Sequence, residues 1–227
     1  MLHIIGMASK AVAYSILLLL IGGAPAIATV INFDSIDATR GPVFSVGIAS
    51  ALFRDGIWVI GATIGSDIAV ANTSVTFPNT AQAASGPNIV TGFRVDPEET
   101  APVGIVFGFT QRLGTVSFYR PALLTTLGPT VHPAWRAEFQ DGAGRLLGQV
   151  SEPTIVSTIG TDKRRFSFTA PDGFDIQRLL IYTEHVQNSS FECALIDDIT
   201  TTPVPSPASL SLVAVMAVGG GLFRRRG

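Results

Sequence analysis

His132 and His185 are the central chain's two histidines, the side chains best suited to move a proton near neutral pH. They stand far apart in sequence: His132 precedes Pro133, and His185 follows Glu184. No Gly-x-Ser-x-Gly elbow, HExxH helix or phosphate-cradling glycine loop accompanies them. The members of a Ser/His/Asp triad need not be close in sequence, but no motif selects one, so both histidines are expected at the surface or capping turns and no catalytic residue is assigned. Paired carboxylates could cleave a glycosidic bond across a cleft, and Glu138, Glu184 and Glu192 are the strand-borne candidates. Such residues on a strand's wet face are more often simply solvated. Cys193 is the single cysteine, which excludes an internal disulfide and CxxC metal spacing. Its apolar neighbours make it a buried residue.

Two kinds of binding chemistry are better supplied. Calcium takes several hard oxygen ligands, and acids gather where the central chain begins and ends: Asp34 at one end, Asp197 and Asp198 at the other. If the first and last strands are neighbours, these acids converge, and a structural calcium is the expected cofactor. Strand alternation separates Asp197 from Asp198, so one of them with backbone carbonyls is the expected ligand set. The bland reading has these acids capping turns or facing water. Sugar recognition requires exposed aromatics beside polar donors. Trp58, Tyr119 and Tyr182 are the candidates, with Arg120 and Arg136 nearby. Each could equally be core or rim packing. Asn72-Thr73-Ser74 and Asn188-Ser189-Ser190 match a glycosylation pattern and are read as chance.

The elements that must position these residues are strands. Val103, Ile105, Phe107 and Phe109 alternate with smaller or polar residues, and so do Trp135, Ala137 and Phe139 with Arg136, Glu138 and Gln140. Gln111-Arg112-Leu113-Gly114, Asp141-Gly142-Ala143-Gly144 and Pro171-Asp172-Gly173 read as turns. Residues 72–88 read as a long loop. Many short strands with polar turns predict an all-β fold, an antiparallel two-sheet sandwich. Charged residues are 14% and hydrophobic residues 47%, which excludes disorder for the middle of the chain. A formal net charge of −2 gives no case for nucleic acid as a partner.

Both ends read as hydrophobic targeting helices flanking that domain. Residues 1–28 form a signal peptide: Lys10, the apolar stretch from Ala11 to Ile21, then Ala26-Ile27-Ala28 as the small-residue cleavage site. The β-domain spans 29–202 and the C-terminal segment 203–227. There Val204-Pro205-Ser206-Pro207 is stiff and extended, an apolar helix covers 208–223, and Arg224-Arg225-Arg226 should stay in the cytoplasm.

This end resembles the PEP-CTERM sorting signal, with Ser206 standing where that family usually has Glu. The resemblance implies an exosortase-like processing enzyme as a partner, after the export translocon and signal peptidase. It also implies transient anchoring in the inner membrane, then release to the cell surface or outside. The strands Val30–Asp34 and Ala194–Ile199, with Phe139-Gln140-Asp141-Gly142 and Leu146-Leu147-Gly148, look like the jelly-roll, galactose-binding-like ectodomains found before such signals. Related modules hold structural calcium in a comparable place. The expectation is a non-enzymatic envelope or matrix protein that binds exopolysaccharide. The rivals are a structural surface protein that binds no sugar and a glycoside hydrolase.

Overall fold

The computed structural model describes residues 27–44, 57–61, 66–94 and 102–204. The chain divides into two compact units, Ala28–Pro203 and a second made of Met1–Ile27 with Val204–Gly227. The expected targeting helices, Ala26, Pro205, Ser206, Pro207 and the Arg224–Arg226 cluster lie outside the described residues. No helix among the described residues is long and apolar enough to cross a membrane.

The first unit is built almost wholly of antiparallel strands. In chain order they are β1 (Thr29–Ile31), β2 (Val43–Phe44), β3 (Ile57–Gly61), β4 (Ser66–Asn72), β5 (Ala81–Gln82), β6 (Asn88–Arg94) and β7 (Val103–Arg120). Then follow β8 (Ala122–Leu123), β9 (Thr130–His132), β10 (Trp135–Gln140), β11 (Leu146–Glu152), β12 (Ile155–Ser157), β13 (Arg164–Thr169), β14 (Ile176–Thr183) and β15 (Asp197–Pro203).

β7 organises the rest. Its first half sends Val103, Ile105, Phe107 and Phe109 into the core, as their spacing predicts. That half lies between β14 and β3, with Phe107 opposite Leu179 on one side and Val59 on the other. β10 and then β11 continue the layer beyond β14. The second half of β7 lies between β13 and β15, with β1 beyond β15. The two parts fold face to face. Phe139 on β10 stacks on Phe168 of β13 at 4.6 Å, and Trp135 meets Phe166 edge-on at 4.7 Å. These rings come from strands that are not ladder partners, so they join the two layers. Gly148 sits opposite Phe139 because a Cβ there would run into the Phe168 ring. The three-stranded β2–β4–β6 sheet meets the chain before β15 through a bridge between Val90 and Ile196.

Two local expectations are corrected. Gln111-Arg112-Leu113-Gly114 does not reverse the chain; β7 runs through it. Its register against β14 jumps from Gly108–Arg178 to Leu113–Ile176, so the intervening residues bulge out and Thr110, Gln111 and Arg112 are exposed. A bulge bends a strand while leaving it paired at both ends, which lets β7 belong to both layers. Residues 72–88 are also more than loop. They hold one helical turn, α1 (Thr73–Thr76), and β5. Buried Asn72 caps that turn by accepting from the Ser74 N–H at 3.0 Å. The β10–β11 turn is as expected: the Asp141 carboxylate accepts from Ala143 N and Arg145 N, and Gly144 takes φ +80°.

Candidate functional site

The outward face of the β14–β10 layer carries accessible polar side chains with an aromatic among them. Arg136 and Tyr182 are cross-strand partners, and the guanidinium lies 4.7 Å above the ring centroid. Arg136 Nε also donates to Glu138 Oε1 at 3.1 Å, and Gln140 Nε2 reaches Glu138 Oε2 at 3.5 Å. Burial raises the Tyr182 pKa, and the Glu138 charge raises it further, so the phenol keeps its proton to donate. Arg178, four residues back on β14, pairs with Gln140 on one side and Gly108 on the other. Gly104 and Gly108 have no side chains on β7's outer side, and Val106, opposite Leu180, stands between them and is buried. Trp58 continues the Gly108 row on β3 by register; its side chain lies outside the described residues.

The expected sugar-binding aromatics therefore separate. Tyr182 and Trp58 belong to one layer, whereas Tyr119 lies on the other half of β7, paired with Arg165 and Asp197, with Lys163 Nζ 5.4 Å from its ring centroid. Arg120 is not a ligand-facing neighbour. It is buried beside Glu152, its Nε 3.0 Å from Glu152 Oε2, and its NH groups donate to the carbonyls of Pro121 (2.5 Å) and Asp162 (3.0 Å). Trp135 Nε1 and Arg164 also reach the Glu152 carboxylate, at 3.3 and 3.4 Å. Sequence reasoning missed Glu152. One signal was present: Val116, Phe118 and Arg120 share a face by the period of two, so a core charge needing a counterion was legible.

His132 corrects another expectation, for it is fully buried, not a surface cap. Its Nδ1 lies 3.0 Å from the Pro133 carbonyl and carries the proton there, leaving Nε2 a buried acceptor without a hydrogen-bond partner. Burial, helped by the Arg120 charge, pushes its pKa down to about 3. Such a histidine is a poor general base near neutral pH. His185 is exposed. Among the other acids weighed for hydrolysis, Glu138 is held by Arg136, and Glu184 and Glu192 are exposed outside the strands. Cys193 is buried as expected, 3.1 Å from Thr183 Oγ1.

Asp34, Asp197 and Asp198 all reach the 84–88 segment, because β1 and β15 are indeed neighbours. Asp197 is fully buried. Its Oδ2 accepts from Ala84 N (2.6 Å) and Ser85 N (3.2 Å), and its Oδ1 from Asp198 N (2.7 Å). Asp198 Oδ1 accepts from Ser85 Oγ at 2.5 Å, and Asp34 Oδ1 from Asn88 N at 3.2 Å. Burial, then the neighbouring Asp198 charge, push the Asp197 pKa up to about 6 against the opposing N–H donors. Among the described residues no three His, Cys, Asp or Glu are grouped to hold a metal ion. The acids clasp a loop. One oxygen beside them, the buried Asn88 Oδ1, has no hydrogen-bond partner.

No protein-family pattern matches the chain, and no curated protein matches it either. Solved structures do. A cyclase from Fischerella sp. TAU is 14% identical, with a TM-score of 0.47, over 79% of this chain and 98% of its own. An arabinose-bound GH51 α-L-arabinofuranosidase is 15% identical, with a TM-score of 0.46, over 80% of this chain; the match spans 27% of the enzyme. A family 29 carbohydrate-binding module from Piromyces equi is 12% identical, with a TM-score of 0.39, over 80% and 93% of the two chains. At these values nothing about activity, ligand or partner passes to this chain.

Proposed function

We propose that this is a non-enzymatic, exported cell-envelope or matrix protein with a jelly-roll-like ectodomain, and that it binds exopolysaccharide across the outward β14–β10 face. The observation that supports the reading is the Arg136–Tyr182 stack beside Glu138, Gln140 and exposed Arg178. Sugars present apolar ring faces and hydroxyls together, so an aromatic bordered by donors and acceptors is the chemistry that recognises them. Export and sorting rest on the sequence of the two ends. β1 begins at Thr29, directly after the cleavage site Ala26-Ile27-Ala28, and Val204, the first residue of the sorting motif, is exposed directly after β15. A glycan array probed with the purified protein tests the binding. At least one polysaccharide class should be retained, and Tyr182→Ala should weaken retention about tenfold, in line with the loss of one aromatic and its cation–π partner. Retention of no glycan would leave a purely structural surface protein.

Structural calcium belongs to the same proposal. Asp197 is committed to N–H donors, so the calcium reading rests on Asp34, with the Asn88 Oδ1, an oxygen without a donor, and backbone carbonyls as its partners. An ion bound only by the folded state raises the melting temperature with its concentration. Melting should therefore be higher in calcium than in chelator, and Asp34→Asn should abolish the difference. Equal melting of the unmodified protein in both would remove calcium from the reading.

A further inference from the structure

We infer that the glycan taken by this face carries carboxylates, as a polyuronic acid does, and that Arg178 binds them; the inference rests on the glycan reading above. Charge accounting around the β14–β10 face points there. Glu138 is held by Arg136, Asp141 by Arg145 and Asp175 by Arg112. Each of those acids has its own arginine. Arg178 is exposed and has no hydrogen bond or ion pair among the described residues. Two acids nearby in sequence, Asp172 at the tip of the Pro171–Phe174 turn and Glu184 just past β14, are exposed and have no ion pair among the described residues.

The position of Arg178 gives its charge a use. Across the ladder on the β7 side stands Gly108, which has no side chain, and the guanidinium extends to the β10–β11 turn, where its Nη1 lies 3.9 Å from the place a Gly144 Cβ would take. On the β10 side stands Gln140, whose amide is directed to Glu138. A guanidinium offers a planar fork that meets a carboxylate with two parallel charge-assisted hydrogen bonds, whereas a neutral hydroxyl engages only one. Tyr182 stands four residues further along the same strand and the same face, roughly 13–14 Å away at ordinary strand rise. A ligand that stacks on Tyr182 and pairs with Arg178 is therefore a chain of sugar units rather than one. Between those two points the same side carries Leu180 and its partner Val106.

The test is titration calorimetry of the purified full chain with polygalacturonate and with the same polymer methyl-esterified, which removes the charge and keeps the backbone. The acid form should bind at least tenfold more tightly than the ester. Arg178→Gln should erase that preference by weakening acid binding far more than ester binding, with the melting temperature unchanged, since the side chain is exposed and has no hydrogen bond or ion pair among the described residues. Arg178→Lys should retain part of the preference, because it keeps the charge and loses the fork. Equal affinity for acid and ester, or acid binding undiminished in Arg178→Gln, would overturn the inference and leave neutral-glycan binding standing. Binding of neither polymer overturns it as well; the glycan array then decides separately whether the broader reading survives.

Discussion

Glu152→Ala is expected to lower the unfolding free energy by about 3–5 kcal/mol, the cost of leaving a buried charge without its partner. Glu152 and Arg120 are each 3% exposed, so water cannot replace what is removed. The carboxylate accepts from Trp135 Nε1 and faces Arg120 and Arg164, which ties β10, β7 and β13 to the end of β11. Arg120 itself is desolvated enough that its pKa is lowered, with the Glu152 charge opposing. Deleting Glu152 removes that opposition. Urea unfolding measures the loss. Should the single variant fail to fold, Arg120→Met with Glu152→Leu separates the causes: replacing both charges with apolar groups should recover most of the lost stability. A single-variant loss below about 1 kcal/mol would mean the pair is solvated and the cluster does not hold the layers.

The second large effect is a pH dependence set by Asp197. Its folded pKa is about 6 against an ordinary 3.8, so between those values the folded chain holds a proton that the unfolded chain has released. The stabilisation is therefore complete below about pH 4 and is lost as pH rises through about 6. A shift of this size corresponds to about 2–3 kcal/mol between pH 4 and pH 7. The carboxylate is fully buried, so solvent does not screen it. Other acids titrate in the same range, and the quantity to measure is the difference between the unmodified protein and Asp197→Asn. That difference should move against the unmodified protein by about 2–3 kcal/mol from pH 4 to pH 7. A flat difference would show that the three N–H donors outweigh burial. The cost of holding this charge near neutral pH falls on the clasp that fixes residues 84–88, to which Lys163 also donates through the Ala84 carbonyl at 2.7 Å.

Much of the strand architecture was legible from local chemistry. Period-two alternation placed Trp135, Ala137 and Phe139 inward and Arg136, Glu138 and Gln140 outward, because successive side chains on a strand point to opposite sides. Asp141–Gly144 and Pro171–Gly173 read as turns because their residue types permit the backbone angles that turns require. The convergence of the acids at the two ends of the domain was conditional on neighbouring first and last strands, a condition that the pairing of β1 with β15 meets. What alternation cannot say is which strand lies beside which. Tyr119 and Tyr182 are alike in sequence terms, yet they fall on different layers because β7 changes partners midway. Gln111–Gly114 has the composition of a turn, and only the ladders on either side of β7 hold it open as a bulge. Arg120 and His132 are polar residues beside prolines, which locally suggest surface. Their burial depends on Glu152 in one case and a stretch of apolar packing in the other, supplied by distant parts of the chain. The sequence by itself determined most strands and the wet and dry sides of those that alternate, such as β10, since these follow from neighbouring residues. The tertiary structure alone decided which charges face each other, since that depends on contacts between residues far apart in sequence.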